Sequence, residues 1–196
     1  MNKQELLQLL NTLTLDDKIT MIHGASMFQT GAVTEKNVPA FTFDDGPMGP
    51  RKEYQKDAWI PIGGNDDATS YLPSNSALAA TFNRKRALES GTILGREARG
   101  RGKDMILAPG INIHRSPLGG RNFEYMSEDP YLTAEIAVPF VEGIQQNDVS
   151  ACVKHYALNN QETDRTGYNA DVSERALWEI LSLIHISEPT RLRCIS

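Results

Sequence analysis

The sequence predicts an α/β fold, with parallel strands and helices packed outside them. Two observations carry this. Helical and extended patterns alternate along the chain as strand, loop and helix, the order that joins parallel neighbours through covering helices. The residues with chemical potential, Asp45, Pro109-Gly110 and Lys154-His155, fall just beyond the expected carboxyl ends of strands, the edge that carries ligand sites in such folds. Periodicity leaves two architectures open, an open doubly wound sheet and a closed barrel.

Thr14 opens the first expected helix: it is a capping residue with Asp17 three positions on, and the pattern runs to His23 and stops at Gly24. Phe41-Thr42-Phe43 reads as a short strand, ended by the turn cluster Asp45-Gly46-Pro47 and followed by a loop rich in Gly, Asp and Pro. From Asn83 a long helix sets Ala87, Leu88, Ile93 and Leu94 on one side. It gives way at Gly100 to Gly102 to a second strand, the apolar run Met105-Ile106-Leu107-Ala108. Pro130 to Gln146 repeats the helix, Val149 to Val153 repeats the strand, and Ser173 caps a further helix.

A chain of 196 residues, 40% hydrophobic and 23% charged, has the content of one folded domain or of a piece of a larger one. Its formal charge of −5 offers no global attraction for nucleic acid or an anionic membrane. The local basic runs, Arg84-Lys85-Arg86 and Arg96 to Lys103, fall on a helical stretch and read as a solvated face. No apolar run is long enough to span a bilayer and the N-terminus lacks a signal-peptide pattern, so a cytoplasmic location is the expectation. Cys152 and Cys194 are too few and too far apart for a disulfide framework or a metal knuckle. Gly95, Gly100 and Gly102 lack the spacing of a phosphate-binding loop, which argues against a nucleotide-binding domain.

Three motifs stand out. Asp45-Gly46-Pro47-Met48-Gly49-Pro50-Arg51 has the form Asp-Gly-Pro-x-Gly-x-Arg. Further on come Asn112-Ile113-His114-Arg115-Ser116-Pro117-Leu118-Gly119-Gly120-Arg121-Asn122-Phe123-Glu124-Tyr125 and Ser127-Glu128-Asp129-Pro130. Lys154-His155-Tyr156-Ala157 with Asn159-Asn160-Gln161-Glu162 completes the set. In this order and at these distances they resemble the signatures of family-3 glycoside hydrolases of the β-glucosidase type, over roughly residues 3 to 180. The resemblance implies a TIM-like (β/α)8 barrel, of which this chain holds roughly the first half, because a complete barrel needs about 250 residues. It implies hydrolysis of terminal β-D-glucosyl residues by a retaining mechanism, on a β-glucoside or oligosaccharide substrate, with no cofactor, metal, nucleic acid or membrane involved.

In that family the sugar at the point of cleavage is gripped by residues that match Asp45, Arg51, Arg121, Lys154, His155 and Arg165, so the resemblance implies that these six converge on one pocket. A physical reason stands beside it. A carboxylate such as Asp45 accepts hydrogen bonds from two adjacent pyranose hydroxyls, while Lys154 and the arginines donate to the same oxygens and offset the cost of burying Asp45. Singly, each has a plainer reading: Asp45 as a turn residue, His155 as a satisfied core histidine, the arginines as loop ion pairs. Their joint match carries the assignment. His114 and Glu124 are given structural roles. Because neighbours on a regular strand point to opposite faces, Lys154 and His155 reach one sugar only if the backbone there is irregular, strained or cis.

Retaining glycosidases use two carboxylates, a nucleophile and an acid/base. The resemblance places the nucleophile beyond residue 180 and the acid/base further still, so no catalytic residue is expected here and the chain alone is expected to be inactive. Leu181 to Arg191 departs from the family's helix and resembles a translated sequencing adapter, and Pro189 would break a helix begun at Ser173. The expectation is therefore a barrel piece over 1–180 and a non-native tail over 181–196. A β-xylosidase or arabinofuranosidase of the same family stays open. A β-N-acetylhexosaminidase is disfavoured, because Tyr156-Ala157-Leu158-Asn159 stands where that branch carries Pro-Gly-His-Gly. From another class, a non-catalytic sugar-binding module is the alternative, and the sequence gives no signal of oligomeric state.

Overall fold

The computed structural model describes residues 2–53, 67–156 and 158–181, and two reciprocal capping boxes open it. Asn2 and Glu5 exchange side-chain and backbone hydrogen bonds at the start of α1 (Lys3–Thr12), and Thr14 and Asp17 do the same for α2 (Leu15–Ile22). The sequence pattern predicts only α2; α1, capped by Asn2, is not among the expected helices. Both helices belong to a smaller unit, Met1–Phe43 with Lys52–Ala68; the larger unit is Asp44–Arg51 with Thr69–Ser196.

The larger unit holds the α/β arrangement. Strand β1 (Phe43–Asp45) ends in it, followed by α3 (Asn75–Ala79), α4 (Arg84–Gly100), β2 (Met105–Leu107), α5 (Pro130–Gln145), β3 (Ser150–Ala151) and α6 (Glu174–Ala176), which runs into a π-helical turn over Leu177–Leu181. The strands lie in the order β1-β2-β3. Strands β2 and β3 are parallel, with Met105 opposite Ser150 and Ile106 opposite Ala151. A parallel bridge between Gly110 and Lys154 continues the pairing beyond them. This is the parallel-strand, outer-helix fold expected, a partial sheet of a TIM-like barrel.

Two boundaries differ from the sequence pattern. The aromatic run Phe41-Thr42-Phe43 is extended, but Phe41 accepts from Thr30 N and Thr42 bridges Gln29, so the sheet takes only Phe43 and continues through two aspartates. Asp45 is thus the last residue of β1 rather than the residue after it. The helix expected from Ser173 has three α-helical residues before the π turn. Helix α3, capped by Ser74 through its bond from Ala77 N, lies in a stretch read from sequence as loop. Ala157 of the third motif and residues 182–196, where the tail expectation falls, lie outside the described residues.

Helices α4 and α5 pack on the sheet and on each other. Asn83 caps α4 by accepting from Lys85 N and Arg86 N. Its far end is a Schellman turn, with Gly102 N donating to Arg99 O, Lys103 N to Ala98 O, and Gly102 at φ +71°. Asp129 caps α5 with Pro130 in its first turn, where a missing N–H costs nothing. Leu94, Ala98, Ile136, Phe140 and Ile144 from these helices bury themselves against Ile106, Val149 and Ala151. The crossing is close: a Cβ on Gly91 would stand 2.0 Å from Phe140 O, and one on Gly143 2.3 Å from Leu88 O. No helix among the described residues is long and apolar enough to cross a membrane.

Candidate functional site

Strand β1 delivers two adjacent aspartates, whose side chains leave a strand on opposite sides. Asp44 is wholly buried, with Oδ1 3.7 Å from Arg51 Nε and Oδ2 3.7 Å from Arg101 Nε. Asp45 has one oxygen committed: Oδ1 accepts from Lys154 Nζ at 2.6 Å and from Gly46 N at 2.8 Å. Its Oδ2 accepts no hydrogen bond among the described residues. The turn that follows needs glycine, since Gly46 is at φ +127° and a Cβ there would meet Gly49 O at 1.9 Å. Arg51 N closes the loop by donating to Asp45 O at 2.7 Å.

From Asp45 a chain of charges of alternating sign runs through the larger unit. Lys154 Nζ also lies 3.7 Å from Glu124 Oε2. Glu124 comes from a 3₁₀ turn, Asn122–Glu124, and its side chain is only 4% exposed. Its Oε1 accepts from Arg121 Nε; Arg121 Nη1 donates to Glu162 Oε1 at 3.2 Å, and Arg165 Nη1 to Glu162 Oε2 at 3.4 Å. Each buried charge thus faces one of opposite sign, the condition for tolerating charge inside a fold. Burial works against the Arg121 charge, yet the hydrogen bond to and attraction of Glu124 hold its pKa above the ordinary value.

The Lys154–His155 peptide bond is cis, the backbone irregularity expected at this pair. His155 N donates to Asn112 Oδ1 at 2.8 Å. The imidazole stands edge-on to Tyr125, ring centres 5.9 Å apart, with Nδ1 3.0 Å from the phenolic Oη. Its pKa is pushed down from 6.5 to about 3, first by burial and then by the positive charges of Arg121 and Lys154, so the ring is neutral at neutral pH. Burial likewise raises the Tyr125 phenol, which stays protonated.

Of the six residues singled out from sequence, the structure links Asp45, Lys154, Arg121 and Arg165 through the two glutamates, and sets His155 next to Lys154 on the same peptide. Arg51 faces Asp44 instead of joining the chain through Asp45. Arg165 is the outlying member, with a side chain 53% exposed and Glu162 as its partner. The sequence reading gives Glu124 a structural role, in keeping with its place as a shared counter-charge, and assigns none to Glu162, Tyr125 or Arg101. Glu124 and Glu162 each lie three positions from an arginine of the set, a spacing that signals a local ion pair, whereas Tyr125 and Arg101 carry no sequence signal that separates them from core and helix-end residues. Among the described residues, no group of three or more His, Cys, Asp or Glu side chains is placed to hold a metal ion.

A barrel-type α/β domain with charged side chains at the strand carboxyl ends is of the class that carries its ligand site on that edge. Residues 62–181 match the model of the glycosyl hydrolase family 3 N terminal domain, and the chain belongs to that family. It is 44% identical over 171 residues to the β-glucosidase BoGH3A of Bacteroides ovatus, covering 87% of this chain and 23% of that protein. It is 38% identical over 168 residues to an exo-α-(1→6)-L-arabinopyranosidase of Bifidobacterium longum, covering 86% of this chain and 22% of that protein. The solved structure of β-glucosidase 3B from Thermotoga neapolitana in complex with glucose superposes with a TM-score of 0.81 at 39% identity, covering 93% of this chain and 27% of that one. The chain thus spans about a quarter of the length of these relatives.

Proposed function

We propose that the chain supplies part of the glycone site of a retaining exo-β-glycosidase acting on terminal β-D-glucosyl residues, with Asp45, Arg51, Arg121, Lys154, His155 and Arg165 holding the sugar. The observation that carries this is the state of Asp45: one oxygen is fixed by Lys154 and Gly46, and the other is left for a ligand. A carboxylate so held is preorganised to accept from a hydroxyl without rearrangement. The name of the Bacteroides ovatus relative supports glucose as the sugar. The arabinopyranosidase relative supports a second reading, a pentopyranose with three ring hydroxyls, one of them differently oriented from those of glucose, and no exocyclic hydroxymethyl group. The carboxylates that attack the anomeric carbon and protonate the leaving group are supplied, in this proposal, by residues outside the chain.

The test uses a longer protein that continues into the downstream sequence, assayed in parallel on an aryl β-glucoside and an aryl α-L-arabinopyranoside. Asp45→Ala lowers kcat/KM at least about a hundredfold on the preferred one, from two charge-assisted hydrogen bonds at about 1.5 kcal/mol each. An unchanged kcat/KM leaves Asp45 with a turn role alone.

A further inference from the structure

We infer that Tyr125 holds His155 in the tautomer with its proton on Nδ1, so that Nε2 meets a ligand as a hydrogen-bond acceptor and never as a donor. The proton count on two short contacts gives this result. Tyr125 Oη lies 2.9 Å from Asn159 O and 3.0 Å from His155 Nδ1. The Asn159 carbonyl has no hydrogen, and two bare oxygens at that separation repel, so the proton between them is the tyrosine's. A phenol has one proton. The hydrogen on the second contact therefore comes from the imidazole, and Nδ1–H donates to Oη.

The surrounding bonds fit this assignment. Asn112, buried at 7% exposure, accepts from His155 N through Oδ1 and donates through Nδ2 to the same Asn159 carbonyl that takes the tyrosine proton. Carbonyl, amide, phenol and imidazole close one ring of hydrogen bonds in which every proton has a single place. Tyr125 itself is 1% exposed, so no water competes for its hydroxyl. The ring stays neutral down to about pH 3, which leaves Nε2 with a lone pair and no proton across the working range of a hydrolase. Nε2 has no protein partner among the described residues.

The consequence for recognition rests on the glycone-site reading above. Asp45 Oδ2 and His155 Nε2 are both acceptors, so the group that meets them must bring hydrogens, as vicinal hydroxyls do. A ring substituent that only accepts, such as fluorine or a methyl ether, is refused at Nε2. Tyr125 is in these terms a positioning residue that sets specificity through the tautomer it imposes.

The 196-residue chain with ring-labelled 15N histidine gives the direct test in long-range 1H–15N spectra, with His155→Gln identifying the signal. The wild-type signal is expected in the Nδ1–H pattern, and Tyr125→Phe is expected to move it toward Nε2–H. A wild-type Nε2–H pattern, or a folded Tyr125→Phe variant with an unmoved signal, overturns the inference. Should that variant fail to fold, the wild-type spectrum decides alone. For the ligand, monofluoro and monodeoxy glucoses compete with an aryl glycoside on the longer protein. One fluoro position is expected to bind at least tenfold more weakly than glucose and to recover in Tyr125→Phe. An equal loss in both proteins overturns the acceptor role. Failure of glucose itself to compete sinks the sugar reading, while the spectrum still decides the tautomer.

Discussion

At the scale of single residues, the cluster depends on one side chain that touches no solvent to speak of. Glu124 is the shared counter-charge of Arg121 and Lys154, and each cation keeps one other acid, Glu162 or Asp45. Glu124→Gln preserves shape and removes charge, so it is expected to cost about 2 kcal/mol in urea unfolding, below the full penalty of an orphaned buried ion. A loss under about 0.5 kcal/mol would show that Asp45 and Glu162 suffice. His155 makes a second expectation. Its pKa is 6.5 when unfolded and about 3 when folded, so between those values the unfolded chain binds a proton that the folded chain does not. This contribution to stability is complete above pH 6.5 and is lost progressively as pH falls toward 3. Urea midpoints at pH 7 and pH 4.5 should therefore differ more in wild type than in His155→Gln; equal differences would mean that the imidazole titrates normally. The six residues are singled out in the sequence by their joint match to the family's motifs, since each taken singly reads as a turn, core or loop ion-pair residue. Of their partners, Glu124 and Glu162 betray themselves by lying three positions from an arginine, whereas Tyr125 is brought to His155 by a loop whose course only the fold determines.

Among the elements, legibility follows the length of the periodic pattern. Helices α4 and α5 have several turns of apolar stripe and unambiguous caps, and both begin within a residue of the expected position. The strands are two or three residues long in the sheet, too short for periodicity, and β1 is set by which neighbour its backbone finds rather than by its aromatic run. The close crossing of α4 and α5 was also invisible, since a glycine within a helical pattern does not say what it lies against. It makes a clear demand, because the atoms facing Gly143 are backbone: a Cβ added there would meet Leu88 O at 2.3 Å and Thr92 N at 2.7 Å. Gly143→Ala, favourable for an isolated helix, is expected to destabilise this one by about 2 kcal/mol as the helices are forced apart. A thermal midpoint equal to or above wild type would show that the crossing yields.

For the whole molecule, the proposal places the chemistry outside the chain. A barrel piece that holds a sugar lowers no barrier unless a carboxylate attacks and an acid protonates the leaving oxygen. The 196-residue chain is expected to show no turnover of an aryl β-glucoside under conditions where the longer protein does. Comparable turnover by both would assign the chemistry to a carboxylate within the chain, with Glu124, Glu128 and Glu162 the first to replace. The division into units has a consequence for engineering. The backbone passes between them at Phe43–Asp44, at Arg51–Lys52 and at Ala68–Thr69. Neither unit is then one continuous stretch, and no truncation from either terminus excises one intact. The eight residues from Asp44 to Arg51, Asp45 among them, form an inserted segment whose two ends are both stitched into the other unit. A domain swap between relatives must carry this stitch across whole, with three junctions chosen together, or it will separate Asp45 from Lys154.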